Sequence, residues 1–153
     1  MRLDKFTKKI ELLNTDAAVV FLTDKHGFVL IKRKERSDDP WSGHMALPGG
    51  FKKPGETILQ AAERECFEEV GIKPKIGGSL GLYMPLNRKV KVQAFYALCQ
   101  KTEKFMISDE VEKAFWVDEK DLKIGDNCYY FKEYKIWGLT YRILSDIFEP
   151  IGY

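Results

Sequence analysis

No run in this chain approaches the ~18 apolar residues that a membrane-spanning helix requires, and the first residues, MRLDKFTKKIELL, contain no apolar core of a secretion signal. A cytoplasmic protein with no membrane partner is the expectation. Neither sign of charge is in excess: 25 basic residues stand against 23 acidic ones, a balance of +2. Nothing in that balance points to nucleic acid as a partner. Three cysteines, Cys66, Cys99 and Cys128, show no CxxC spacing and an odd count, which argues against a zinc site or a disulfide framework and for reduced thiols. Internal repeats, linkers and low-complexity tracts are also lacking. What remains, with 44% hydrophobic and 31% charged residues, is the composition of one globular domain over residues 1–153.

Hydrophobic spacing outlines the elements. Leu3, Phe6, Ile10 and Leu13 recur at helical intervals and predict a short amphipathic helix. AAVVFLT (Ala17–Thr23) and FVLIKRK (Phe28–Lys34) flank DKHG and read as a hairpin with its glycine at the turn. A brief strand follows at Met45–Leu47. A helix runs from about Thr57 to Val70, with Gly71 as its left-handed stop. GGSLGLYMPL (Gly77–Leu86) and KVKVQAFYALC (Lys89–Cys99) form a second expected hairpin, joined through Asn87–Arg88. KAFWV (Lys113–Val117) is a further strand after the acidic turn SDEVE. KIWGLTYRILSDIF (Lys135–Phe148) carries Ile136, Leu139, Ile143 and Ile147 at helical spacing, a stripe open to packing or to a homodimer contact. Strands on both sides of a helix, with a second helix closing the chain, predict an α/β layered domain.

The helix of residues 57–70 poses a chemical problem. It places Glu65, Glu68 and Glu69 in its final turns, where the helix dipole disfavours carboxylates. At ~100° per residue, Leu59, Ala62, Cys66 and Val70 form a stripe roughly 80° wide that must be buried. Glu65 and Glu69 then lie at its edge and Glu68 just beyond. Basic runs such as KRKER (Lys32–Arg36) and NRKVK (Asn87–Lys91) supply counter-charge elsewhere in the chain. Within the helix Arg64 can answer part of the charge, reaching Glu68 one turn on and Glu56 at the helix entrance. One guanidinium cannot neutralise four carboxylates. A hard divalent cation such as Mg²⁺ can, since it takes oxygen ligands at ~2.0–2.1 Å, and the loop GGFKKPG offers backbone carbonyls beside them.

These residues fill the signature G-x5-E-x7-R-E-U-x-E-E-x-G-U, in which U is a bulky aliphatic residue. Gly50, Glu56, Arg64, Glu65, Glu68, Glu69, Gly71 and Ile72 occupy the fixed positions, and Cys66 stands at the first U. The chain thereby resembles the Nudix hydrolase family. The resemblance implies the Nudix fold, a mixed β-sheet sandwiched between α-helices, and Mg²⁺-dependent hydrolysis (with Mn²⁺ as a substitute) of a small nucleoside diphosphate linked to another group. It implies Glu65 and Glu69 as metal ligands, Glu68 as ligand or water orienter, Gly49 as a carbonyl ligand, and Glu56 and Arg64 as braces for the carboxylates. For the general base it implies a glutamate of the signature or an acid from a late loop, Glu110 first and Glu112 second.

Two further segments, VLIKRKERSDDPWSGHMALPGG and IWGLTYRIL, are similar to the coenzyme A diphosphatase-like branch, although KKPGE (Lys52–Glu56) keeps the general family form. Coenzyme A or a related compound is thus the expected substrate. Nucleoside triphosphate hydrolysis, including that of oxidised nucleotides, and a non-catalytic nucleotide sensor are the alternatives. Arg33 and Arg36 are candidates for phosphate contacts, because arginine offers paired donors. Trp41, Tyr83 and Phe95 are candidates for stacking on a base or for ordinary packing. His44, Trp116 and Trp137 are read as structural, the two tryptophans as core.

Overall fold

The computed structural model describes residues 1, 3, 14–38 and 42–148. Apart from Leu3, the expected N-terminal helix lies outside the described residues, as does Trp41. In chain order the elements are β1 (Ala17–Thr23), β2 (Gly27–Arg33), β3 (Met45–Ala46), β4 (Gly49–Phe51), α1 (Ile58–Val70), β5 (Ile76–Tyr83), β6 (Val92–Leu98), β7 (Val111–Asp118), β8 (Lys123–Ile124), β9 (Tyr129–Phe131), β10 (Tyr134–Ile136) and α2 (Gly138–Phe148). A 3-10 turn, Glu119–Asp121, follows β7. No helix among the described residues is long and apolar enough to cross a membrane.

AAVVFLT is apolar at every position but the last because both of its faces are covered. As β1 it lies in the middle of a seven-stranded sheet and runs parallel to β6 from Ala17↔Val92 to Thr23↔Leu98. The remaining pairings in this sheet are antiparallel. Alternate residues feed two cores. Ala18, Val20 and Leu22 join Val29, Ile31 and Phe95 in packing on Ile58, Ala62, Cys66 and Val70 of α1. Phe21, Phe28 and Leu30 face the other way, onto Ile143, Leu144 and Ile147 of α2. The sheet is therefore sandwiched between the two helices, as expected for the family. The apolar stripe of α2 is covered within its own chain. Phe95, a candidate for base stacking, is fully buried in the first of these cores.

The feature that makes room for a site is a split in the sheet. β1 and β2 meet only at Thr23↔Phe28. Beyond it they part, β4 taking the edge of β1 at Ala17–Val19 and β3 taking the edge of β2 at Ile31–Lys32. Residues 45–51 thus fill the fork between two central strands.

Several expected boundaries shift, each for a local reason. In the first hairpin Lys25, not Gly27, takes the left-handed φ of 78°. The Asp24 carboxylate caps that turn by accepting from the backbone N–H groups of His26 and Gly27. Gly27 instead opens β2, where an added Cβ would lie 2.4 Å from the Trp116 indole nitrogen. Trp116 itself is only partly buried at the edge of the α1-side core. β5 stops at Tyr83 and β6 starts at Val92, so residues 84–91 form a long connection instead of a tight turn at Asn87–Arg88. The closing helix begins at Gly138, whose φ of 64° breaks the run, and Lys135 and Ile136 belong to β10. β8, β9 and β10 make a small separate sheet that hydrophobic spacing did not reveal.

Candidate active site

Thr57 caps α1 with a reciprocal capping box to Gln60, and Gly71 ends it in the left-handed conformation (φ 78°). Its buried residues are Ile58, Ala61, Ala62, Cys66, Glu69 and Val70, with Leu59 only partly covered. The buried face is therefore turned by roughly 50° from the expected stripe. That rotation corrects the reading of Glu69. It lies in the middle of the buried face, 1% exposed, and not at the border.

The rotation is possible because α1 packs on glycine backbone. A Cβ on Gly50 would meet the Glu65 carboxylate at 2.6 Å, and one on Gly49 would lie 2.1 Å from the Ala18 carbonyl oxygen. In this cradle the Gly49 N–H donates to Oε1 of Glu69 at 2.6 Å. Oε2 of Glu69 is buried without a hydrogen bond, and Nη1 of Arg33 stands 3.8 Å from it. Burial dominates the electrostatics and pushes the Glu69 carboxyl up to about 8, against the opposing pull of the Gly49 N–H. Burial also raises Glu65. A buried carboxylate oxygen with no donor costs free energy that a bound cation would remove.

Arg64 is saturated. Its Nε donates to Glu56 at 2.7 Å, and its Nη1 donates to Glu65 at 2.7 Å and to Glu68 at 3.2 Å. Nη2 reaches Glu56 again and the Phe51 carbonyl. The guanidinium holds the Glu56 carboxyl down at about 2. Among the described residues no three His, Cys, Asp or Glu side chains converge as a closed ligand set, because Arg64 occupies the ground between Glu56, Glu65 and Glu68. The donor set still fits a hard cation: oxygen atoms only, one of them buried without a hydrogen bond.

The other candidates divide. Arg33 is beside Glu69 and also lines a cleft of about 900 Å³ that opens at the split in the sheet. Gly49, Gly50 and Phe51 line the same cleft, whereas Glu65, Glu68 and Glu69 do not; Glu65 and Glu69 stand behind its wall, against Gly50 and Gly49. Arg36 is exposed and stands 3.7 Å from Glu110, at the turn before β7. Glu110 nonetheless lies close enough to Glu65 and Glu69 to contribute to raising both. Glu112 is committed to Lys32 at 2.6 Å. Cys66 is fully buried, and its thiol is pushed far up by that burial, which leaves it a packing residue.

Trp137 is half exposed at the cleft, with the ring of His44 edge-on at 4.7 Å, which corrects its reading as core. Tyr83 is tied to Asp146 of α2 through its hydroxyl at 2.6 Å. Sequence reasoning passed over Lys135 and Arg142, which also line the cleft. A signal is present in KIWGLTYR, where Trp-Gly interrupts the helical pattern between β10 and α2.

Known proteins share sequence and fold with this chain. A family model for the NUDIX domain matches residues 13–134. The chain is 33% identical over 114 residues to an ADP-ribose pyrophosphatase of Methanocaldococcus jannaschii, covering 71% of this chain and 66% of that protein. It is 36% identical over 116 residues to human diphosphoinositol polyphosphate phosphohydrolase 3-alpha, covering 76% of this chain and 62% of the relative. The chain thus spans somewhat less than two thirds of each. Its fold superposes on a MutT/nudix family protein from Enterococcus faecalis with a TM-score of 0.67 at 17% identity, over 93% of this chain and 64% of that one. By the match over most of its length, and by a fold shared with solved members, the chain belongs to the Nudix family.

Proposed function

We propose that this protein is a Mg²⁺-dependent hydrolase of the diphosphate linkage in a nucleoside diphosphate derivative. The observation that carries the reading is the buried Oε2 of Glu69, unbonded beside the Gly49–Gly50 backbone that lines a cleft of about 900 Å³. Glu65, Glu69 and the Gly49 carbonyl would hold the cation, with Glu68 as a further ligand or as the group that orients water. A divalent ion bound there polarises the phosphate oxygens and acidifies water.

Arg33, which faces both Glu69 and the cleft, binds the diphosphate oxygens. Glu110 takes the proton as the water oxygen attacks one phosphorus. The bridging P–O bond then breaks, and the leaving phosphate departs with the electron pair. Glu56 and Arg64 keep Glu65 and Glu68 in place. Arg36, 3.7 Å from Glu110, supplies counter-charge to it.

Coenzyme A and its relatives remain candidate substrates from the sequence resemblance. The relatives' activities add ADP-ribose and diphosphoinositol polyphosphates. All three contain a phosphate anhydride joined to a larger organic group. The experiment is a mass-resolved screen of these compounds and of nucleoside triphosphates, with and without Mg²⁺. Cleavage of a diphosphate only when the ion is present supports the proposal. Binding without cleavage under any divalent ion supports a nucleotide sensor instead.

Arg64→Gln gives a second test. It strips the shared counter-charge from Glu56, Glu65 and Glu68. The variant should bind Mg²⁺ roughly 10–100-fold more weakly than the wild type, as measured by calorimetry. Unchanged affinity would mean that Arg64 has no bracing role.

A further inference from the structure

Side chains of different chemistry line the cleft. Gly49 and Gly50, which touch Glu69 and Glu65, form part of its wall. Residues 84–91 and the segment entering α2 bring Arg88, Lys135 and Arg142 to the wall as well. Val19, Leu139 and Ile143 add apolar lining. Among the described residues that line the cleft, Asp126 is the one acid.

Arg142 is fixed but not saturated. Its Nη2 donates to the Met84 carbonyl, and its Nε–H is buried with no acceptor. Asp146, one turn further along α2, is engaged by the Tyr83 hydroxyl at 2.6 Å. Among the described residues no carboxylate stands within salt-bridge distance of Arg142 or Lys135. Arg64 is the contrast, since all three of its nitrogens donate to protein oxygens. An oriented guanidinium and an ammonium that line one cleft with no ion-paired carboxylate among the described residues suit an anion brought in by the ligand.

We infer that Arg142 and Lys135 bind a second anionic group of the substrate, a phosphate ester carried outside the scissile diphosphate. The substrate then places its anhydride beside Gly49 and Gly50, next to Glu65 and Glu69, and its phosphate ester against Lys135 and Arg142. This inference rests on the hydrolase reading and deepens it. Two sources carry the same chemistry: a nucleotide phosphorylated on its ribose, and a polyphosphorylated ring.

The test compares kcat/KM, with Mg²⁺, for coenzyme A against its 3′-dephospho form, which differ by one phosphate ester, and for a diphosphoinositol polyphosphate against ADP-ribose. The expected result is a preference of roughly 10–100-fold for the phosphate-rich member of one pair, the pair identifying the source. That ratio should shrink toward unity in Arg142→Gln and in Lys135→Gln. Lys135 is exposed on β10, so its variant keeps the test readable should Arg142→Gln fail to fold. Equal values within both wild-type pairs, or ratios unchanged in the variants, overturn the inference.

Metal-free calorimetry separates this result from failure of the hydrolase reading. Tighter binding of adenosine 3′,5′-bisphosphate than of AMP, or binding of inositol hexakisphosphate, that is weakened in Arg142→Gln upholds the anion site even if no compound is cleaved. Absence of both overturns it.

Discussion

Glu69→Gln is expected to lower diphosphate hydrolysis at least ~100-fold while raising the melting temperature of the metal-free protein. The activity loss follows from removing the charge of a carboxylate proposed to bind the cation directly, so losses seen for residues that only support ligands set the lower bound. The stability gain follows from burial. The Glu69 carboxyl titrates at about 8 in the folded chain, against an ordinary value of 4.5. Between those values the folded state binds more protons than the unfolded one, so stability falls as pH rises from about 5 to about 8. A glutamine keeps an oxygen for the Gly49 N–H and has no such penalty. The difference in melting temperature between variant and wild type, measured without metal, should therefore be small near pH 5 and largest at pH 8 and above. A variant less stable than wild type at pH 8, or a difference that shrinks with pH, would contradict the assignment of Glu69 as a buried, strained acid.

Gly49→Ala is expected to lower stability by about 3 kcal/mol or more, because overpacking against fixed backbone lies at the costly end of such changes. The added Cβ would lie 2.1 Å from the Ala18 carbonyl oxygen and 2.6 Å from the Val19 Cα. Neither is the end of a flexible side chain, so β4 must move away from β1. The register Val19↔Gly49 and the Glu69 contact would be lost together. For a chain of this size the melting temperature should fall by roughly 10 °C, and circular dichroism would read it. Gly50→Ala differs. Its clash is with the Glu65 carboxylate, which can rotate, so turnover should suffer more than stability. A Gly49→Ala protein that melts with the wild type would mean that the close approach of β4 to β1 is not what positions the site.

How much of this was legible in the sequence depends on the scale of the interaction. The limits of α1 follow from local chemistry, a threonine cap and a glycine stop, and both stand where expected. β1 and β2 follow from continuous apolar runs. The rotation of α1 did not, because it depends on how near two glycines of another strand let the helix come, and apolar spacing along a helix contains no such term. Leu59 sat in the expected stripe and is only partly buried, while the acid Glu69 sits deeper. The small sheet of β8, β9 and β10 escaped because strands of two or three residues carry too few alternations to stand out. Trp137 differs from its expected core place because helical spacing extends back through Gly138, whose left-handed backbone ends that run. Arg142 lies on the expected helix, and its place at the cleft comes from tertiary packing that spacing along a helix does not record.

Whether the acids of α1 form a cation site decides how this protein acts. Equilibrium binding of Mn²⁺ to the wild type and to Glu69→Gln at pH 7.5, followed by the electron spin resonance of the free ion, tests it most directly. The account expects the wild type to bind at least one ion and the variant to bind it at least ~10-fold more weakly. Equal binding by both proteins, or none by either, would contradict it.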